Sequence, residues 1–198
     1  MITENIQEDR RVRRTKKMLK DSFIFLMQKK DYEHITVTDI VKQADYNRAT
    51  FYLHYKYKEE LVDEIIDEMV AGFVDHFRFS FHYLDLHSLS ISLPDIYLFD
   101  FILENANFFK LWTDDKKIPG FQEKLIQTME EFFEEEIIQT GKHELDVNHE
   151  LLITFQIYGM IGLIFEWIKS DFSAPSTYMA RQLINILNSY SPRVYVGS

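Results

Sequence analysis

Five side chains that form hydrogen bonds lie within eight consecutive positions of this sequence: Asn47, Arg48, Thr50, Tyr52 and His54. An arginine side chain matches the edge of guanine, and amide and hydroxyl groups suit base edges and phosphate oxygens. Catalysis fits less well, because no serine or aspartate stands at a recognisable spacing from His54 for a hydrolytic triad. The cluster therefore indicates binding to a nucleic acid.

Two short helices are predicted to carry this cluster. Thr38 is a candidate N-cap for a helix over 39–44, and Asn47 is one for a helix over 48–55, because both residue types accept hydrogen bonds from a first helical turn. The break between the helices begins at Asp45. Two short helices joined by a tight turn form a helix-turn-helix, whose second helix can enter the major groove of DNA.

Packing decides which aromatic residues of the second helix remain available. Ala44 is small, as the crossing of two helices requires. Phe51 and Tyr55 lie four apart on one helix face, so both are predicted to pack inward, and Tyr52 is left for DNA. The alternative, in which Tyr52 and Tyr55 are both core residues, stays open.

The charge is strongly divided along the chain, although the net charge is −10. Positions 10–58 hold 13 Lys or Arg and 5 Asp or Glu. Positions 61–198 hold 9 Lys or Arg and 22 Asp or Glu. Phosphate binding requires a local positive face, not a basic protein. A basic run alone is most often a solvated face. Beside a helix-turn-helix, however, Arg14 and its basic neighbours are expected to reach a phosphate or the minor groove.

Residues 50–61 read TFYLHYKYKEEL. This run resembles the DNA-binding domain of the TetR family of bacterial regulators, whose pattern has Thr-Phe-Tyr, two residues, an aromatic residue, and then Lys-Glu and Leu. Thr38, Ile40 and Ala44 also fall where that pattern expects them. The resemblance covers residues 10–65.

The resemblance implies the DNA contacts and also shows two departures. The implied contacts are Thr38, Asn47, Thr50, Tyr52, His54 and Lys58. Arg48 is predicted to read a base, because arginine pairs bidentately with guanine. The family often has glycine where Asp45 and Ala49 stand. Aspartate tolerates the left-handed backbone of a turn, and the alanine methyl can touch a thymine methyl, so the base preference is open.

The remainder of the chain also predicts helices. A single glycine and no proline precede Pro94, which disfavours strand-and-turn architectures. Helices are predicted over 9–29, 58–79, two segments ending near 112, 121–139, 147–169 and 175–190, with a looser region at 82–93. The expected fold is all-α, with a three-helix helix-turn-helix DNA-binding domain over 9–57. A helical-bundle regulatory and dimerisation domain follows over 58–190.

Several classes of function are disfavoured. The absence of cysteine excludes disulfides and thiolate metal sites. No Gly-rich phosphate loop, HExxH or GxSxG motif is present, so no enzyme, no cofactor and no metal site is predicted. The longest uncharged stretch, 151–165, is shorter than the roughly 20 residues of a membrane span. A cytoplasmic protein without membrane contact is expected.

The segment 147–169 is apolar around nearly its whole circumference, so every side of it must be covered. A second subunit can supply part of that cover, and small residues let another helix approach closely. We therefore expect a two-fold homodimer interface. Its candidate residues are Phe155, Gly159, Gly162, Leu183 and Leu187. The alternative is that this segment is the central helix of one subunit.

Many TetR-type proteins bind a small molecule in the C-terminal domain, and the resemblance implies the same here. Candidate lining residues are Phe101, Phe108, Trp112 and Phe133. Aromatic residues at helical spacing more often form core, and that alternative stays open.

The sequence thus predicts a repressor that binds an inverted-repeat operator in double-stranded DNA as a homodimer and is released by a small-molecule effector. Two alternatives remain, a helical adaptor module without operator binding and a regulator that lacks a small-molecule effector.

Overall fold

The computed structural model describes residues 10–82, 97–113, 118–140 and 148–190. These parts are helical and contain no strand. The helices are α1 (Arg10–Met27), α2 (Val37–Gln43), α3 (Arg48–Tyr52), α4 (Lys58–His82), α5 (Tyr97–Glu104), α6 (Ala106–Thr113), α7 (Phe121–Thr140), α8 (His149–Lys169) and α9 (Ser176–Tyr190). The predicted all-α class is confirmed. The looser region expected at 82–93 lies outside the described residues except for its first position.

Helix α2 begins two residues earlier than the sequence suggested. Thr36, not Thr38, is its N-cap, and it forms a capping box with Asp39. The Asp39 amide donates to the Thr36 hydroxyl at 3.2 Å, while the Thr36 amide donates to the Asp39 carboxylate at 2.9 Å. Lys30 adds an ion pair of 2.8 Å to the same carboxylate. These contacts, led by that of Lys30, hold the pKa of Asp39 well below its usual range.

The turn between α2 and α3 uses the left-handed backbone predicted for it. Asp45 has φ 57°, a conformation that aspartate tolerates better than most residues. The Tyr46 amide then donates to the Val41 carbonyl at 2.8 Å and closes the turn. Ala44 is buried at the crossing, so α2 braces α3 at close range.

Helix α3 is shorter than expected and ends at Tyr52 instead of position 55. Asn47 caps it as predicted, because its side-chain oxygen accepts from the Thr50 amide at 2.8 Å. Phe51 and Tyr55 are both buried, with ring centroids 5.5 Å apart. Tyr52 is exposed. The predicted division into inward and outward aromatic residues is confirmed.

Helix α4 joins the N-terminal helices to the C-terminal bundle. It contacts α1, α5 and α7, while α8 packs against α6 and α7, and α1 also contacts α6 directly. The bundle core is rich in phenylalanine, and Phe73, Phe99 and Phe109 are fully buried in it. A change in the bundle can therefore reach α1 through the body of α4.

Three ion pairs, made by two lysines and two glutamates, connect α1 to α4. Lys16 and Lys20 each bind the Glu64 carboxylate at 3.1 Å, and Lys20 also binds Glu68. Partial burial opposes the charge of Lys20, but its hydrogen bonds to Glu68 and Glu64 raise the pKa of Lys20. Lys16 and Lys20 of the basic segment are therefore engaged in ion pairs within the protein.

Helix α8 has a length and an apolarity that would also suit a membrane span, over residues Glu150–Lys169. Core helices of globular proteins share these properties. In this fold α8 packs against α6 and α7, and 39% of its most apolar segment is buried. The single chain covers only part of α8, as its all-round apolar sequence anticipated.

Candidate nucleic-acid interface

The exposed surface of α3 presents a preorganised cation. Arg48 donates from Nη2 to the Tyr52 hydroxyl at 3.2 Å, and its Cζ lies 5.8 Å from the centre of the tyrosine ring. The two residues are four apart, so they share one helix face. Both are exposed. The tyrosine restricts the guanidinium, and a restricted donor loses less entropy when it pairs with a base edge.

Asn47 and Thr50 form the start of α3. The Asn47 side-chain oxygen accepts from the Thr50 amide at 2.8 Å and from the Thr50 hydroxyl at 3.1 Å. That oxygen therefore serves as the cap, and a DNA contact from Asn47 would have to use its amide nitrogen. His54 is half-buried in the turn after α3, with its ring 6.4 Å from that of Tyr55.

The remaining predicted DNA contacts lie on neighbouring helices. Thr38 is half-buried in the first turn of α2, and Arg14 is exposed in the N-terminal half of α1. The whole run Arg10–Arg14 contains no buried residue. The first two turns of α1 therefore present cations to the solvent, at a helix end where the helix dipole favours an anion.

Lys58 is engaged inside the domain. Its ammonium donates to the Tyr32 carbonyl at 2.9 Å and lies 3.9 Å from the centre of the Tyr32 ring. The Tyr32 hydroxyl in turn donates to Glu59 at 3.2 Å. Burial, followed by the charge of Glu59, raises the pKa of Tyr32 to about 12. We call these three residues the Tyr32 clamp. It fixes the start of α4, and the DNA contact of Lys58 stays a prediction.

The sequence did not reveal the Tyr32 clamp or the ion pairs between α1 and α4. A signal for the ion pairs exists, since Lys16 and Lys20 are four apart on one helix and Glu64 and Glu68 are four apart on another. The clamp has no such signal, because a lysine bound to a main-chain carbonyl depends only on tertiary packing.

A second exposed surface runs along α8 and the start of α9. Leu151 is 68% exposed and Phe155 is 56% exposed, and Tyr178 of α9 is also exposed. Gly159 and Gly162 stand on the same side of α8, where an added Cβ would meet no atom within 4 Å. They border an open groove of about 480 Å³ between α8 and α9.

Leu183 and Leu187 of α9 are also predicted to lie in the dimer interface. Leu183 is only 4% exposed and lies in the core of the single chain, so its assignment to the interface is corrected. Leu183 belongs to α9, which packs against α5, and the apolar stripe of α9 takes part largely in that contact. The side chain of Leu187 lies outside the described residues.

The four aromatic residues predicted to line a ligand pocket are in contact with other aromatic rings. Phe108 and Trp112 pack edge to face on Phe121, at 4.8 and 5.3 Å between ring centroids. Phe133 packs on Phe77, and Phe101 stacks on His76 at 4.7 Å. Phe108, Trp112 and Phe133 are buried in the bundle core and Phe101 is half-buried against it, which is the alternative that the sequence left open.

A metal site finds no support in the part of the chain that the structure describes. No three side chains among its His, Asp and Glu residues come close enough together to hold a metal ion.

Two family models match this chain. The one described as bacterial regulatory proteins, tetR family, matches residues 25–65. The one described as transcriptional regulator C-terminal region matches residues 96–189. The first covers α2, α3 and the start of α4, and the second covers α5 to α9. Together they span more than half of the chain.

One curated relative and two solved structures give further comparisons. A Bacillus subtilis (strain 168) protein described as an uncharacterized HTH-type transcriptional regulator, YxbF, is 45% identical over 71 residues. That match covers 35% of this chain and only 19% of the relative.

The structure of DhaS, a dihydroxyacetone kinase operon activator, matches with a TM-score of 0.60 and 22% sequence identity. The match covers 88% of this chain and 94% of the DhaS chain. The structure of FadR from Bacillus subtilis, in complex with stearoyl-CoA, matches with a TM-score of 0.57 and 17% sequence identity. The match covers 86% of this chain and 96% of the FadR chain. These two likenesses show a shared fold.

Proposed function

The chain belongs to the TetR family of transcriptional regulators, which are DNA-binding proteins and not enzymes, and on this premise we propose that it is a repressor. It binds an inverted-repeat operator in double-stranded DNA as a homodimer in the cytoplasm, and a small-molecule effector releases it.

The observation that carries this proposal is the exposed face of α3. Arg48 and Tyr52 are held together there, and Asn47 and Thr50 stand at the start of the same helix. The bracing helix α2 and the buried Phe51 fix α3 from behind, so its polar face is available to a major groove. The acidic composition of the C-terminal bundle keeps that bundle away from phosphates.

The homodimer is supported by the apolar face of α8. Leu151, Phe155 and Tyr158 are all more than half exposed and stand one turn apart along one side of the helix. An apolar patch of this kind on a single chain marks an interaction surface. A second copy related by a two-fold axis would bring two such faces together and place two α3 helices about one turn of DNA apart.

The effector is supported by the fold. FadR from Bacillus subtilis has the same fold and was solved with stearoyl-CoA bound. In this chain Phe108 is buried in the bundle core and Phe101 is half-buried against it, so an effector that entered the bundle there would have to displace packed rings. Such a ligand acts only through its different affinity for the DNA-binding and released arrangements of α4.

Selection of short duplexes from a random pool by the purified protein tests this function. Enrichment of an inverted repeat, followed by sedimentation of a complex with two chains on each duplex, is the expected result. Recovery of no enriched sequence would favour an adaptor module instead. Repression itself requires a reporter placed behind the selected repeat, and its transcription must fall when the protein is present.

A further inference from the structure

The outward surface of α3 has two edges of different chemistry. Arg48 and Tyr52 form the polar edge, joined by their hydrogen bond of 3.2 Å. Ala49 and Leu53 form an apolar edge beside it. The Leu53 amide donates to the Ala49 carbonyl at 3.1 Å, which places the two side chains one helical turn apart on the same face.

Leu53 is 80% exposed, the largest exposed fraction among the large apolar side chains that the structure describes. A single exposed leucine is ordinary on a protein surface. This one, however, stands in a polar and basic setting, with exposed cations on α2, α3 and the turn after α3. Those cations are Lys42, Arg48 and Lys56. An apolar protein partner would have to bury these charges, whereas a DNA duplex neutralises them.

The major groove offers one apolar group that fits such an edge. Thymine carries a C5 methyl there, and the other bases present hydrogen-bond donors and acceptors without it. Leucine and alanine side chains form no hydrogen bonds, so they distinguish bases only by contact with that methyl.

We propose that the edge formed by Ala49 and Leu53 binds thymine methyl groups. Each operator half-site would then carry thymine next to the base pair that Arg48 contacts. The inference rests on the proposed role of α3 as the recognition helix, and it adds a base preference to that role.

Replacement of thymine by deoxyuridine tests the inference without altering base pairing. In the duplex selected from the random pool, each thymine is replaced in turn and the affinity of the protein is measured. At least one replacement in each half-site should weaken binding about fourfold, the value that follows from burial of a single methyl group.

Protein variants assign the effect to this edge. With Leu53→Ala, the difference between the thymine and uracil duplexes should disappear at the thymine that Leu53 contacts and remain at any thymine that Ala49 contacts. Leu53→Met should keep most of the difference at both. Leu103→Ala is the matched control, because Leu103 is an exposed leucine on α5, and it should bind as the unaltered protein does. Circular dichroism should show an unchanged helix content for Leu53→Ala, since the side chain is so exposed.

Three outcomes would overturn the inference, and they are distinguishable from one another. The protein could bind an operator specifically with an affinity that uracil does not change, or an operator without thymine in its half-sites. Either result would show that no thymine methyl is contacted, while operator binding itself would stand. A uracil effect that persists undiminished at every thymine in Leu53→Ala would show that Leu53 contacts no thymine methyl and would contradict the proposed edge. Failure to enrich or bind any duplex removes the proposed function itself.

Discussion

The Arg48 guanidinium donates a hydrogen bond to the Tyr52 hydroxyl, 3.2 Å away and one helical turn further along α3. Both side chains are exposed, so this bond does not serve the core. This bond favours one position of the Arg48 guanidinium before any DNA arrives. A preorganised donor increases the discrimination between correct and incorrect bases.

Tyr52→Phe should therefore reduce base discrimination without unfolding the protein. The ring remains, and only the hydroxyl that holds Arg48 is lost. We expect the preference for the base pair that Arg48 contacts to fall about three- to tenfold, a part of the 1–3 kcal/mol that a bidentate contact contributes. This preference is measured by comparing the affinities of the protein for duplexes that differ only in the base pair that Arg48 contacts. A uniform loss of affinity on all duplexes would instead make Tyr52 a simple phosphate contact.

Asp39→Asn tests the capping box of α2 through its dependence on pH. The pKa of Asp39 is lowered in the folded protein, so its charged form stabilises the fold above the ordinary carboxyl pKa of about 4. That contribution is lost as the pH falls through the lower folded-state pKa. The variant should be less stable than the unaltered protein at pH 7, and the gap should shrink below about pH 4.

Urea unfolding at several pH values measures this gap. Asp31→Asn is a suitable control, because the Asp31 side chain makes no cap hydrogen bond to its 3₁₀ turn, Tyr32–His34. A gap between Asp39→Asn and the unaltered protein that stays constant from pH 7 to pH 3 would contradict the assigned role of the carboxylate.

Lys58→Met should lower the free energy of unfolding as well as any affinity for DNA. The substitution removes the charged hydrogen bond to the Tyr32 carbonyl and the contact with its ring, while the apolar stem is retained. We expect a loss of about 1–2 kcal/mol. Lys56→Met is the control on an exposed neighbour and should cost less than about 0.5 kcal/mol. Unchanged stability with weakened DNA binding would make Lys58 a phosphate contact alone.

Gly159→Leu tests the association of two chains without disturbing the fold of each chain. A side chain at Gly159 has open space in the single chain, and leucine favours a helix over glycine by about 0.7 kcal/mol. The chain should therefore remain folded. The added side chain would keep a second α8 at a distance, so the dimer dissociation constant should rise at least tenfold by sedimentation equilibrium. An unchanged constant would place the interface elsewhere.

The sequence predicted the helix-turn-helix closely where local chemistry decides the structure. The Asn47 cap, the left-handed Asp45 and the inward pair of Phe51 and Tyr55 all follow from residue type and spacing. The start of α2 was placed at the wrong threonine. Thr36 has an acidic residue three positions later, at Asp39, which completes a capping box, and Thr38 does not.

Contacts between distant parts of the chain could not be predicted in the same way. Lys58 binds a carbonyl 26 positions away, and no local pattern specifies such a partner. Leu183 belongs to an apolar stripe that could equally face a core or a second subunit, and only the packing of α9 on α5 decides between them.

The central claim is that the face of α3 reads operator DNA, and a titration of two duplexes tests it most directly. The affinity of the protein for the selected inverted repeat and for a scrambled duplex of equal composition is measured across a range of salt. We predict binding to the repeat that is at least about a thousandfold tighter at physiological salt. We also predict that both affinities decline steeply as salt rises, and that Arg48→Ala removes most of the difference between the duplexes. Equal affinity for both duplexes, or a preference that survives Arg48→Ala undiminished, would contradict the account.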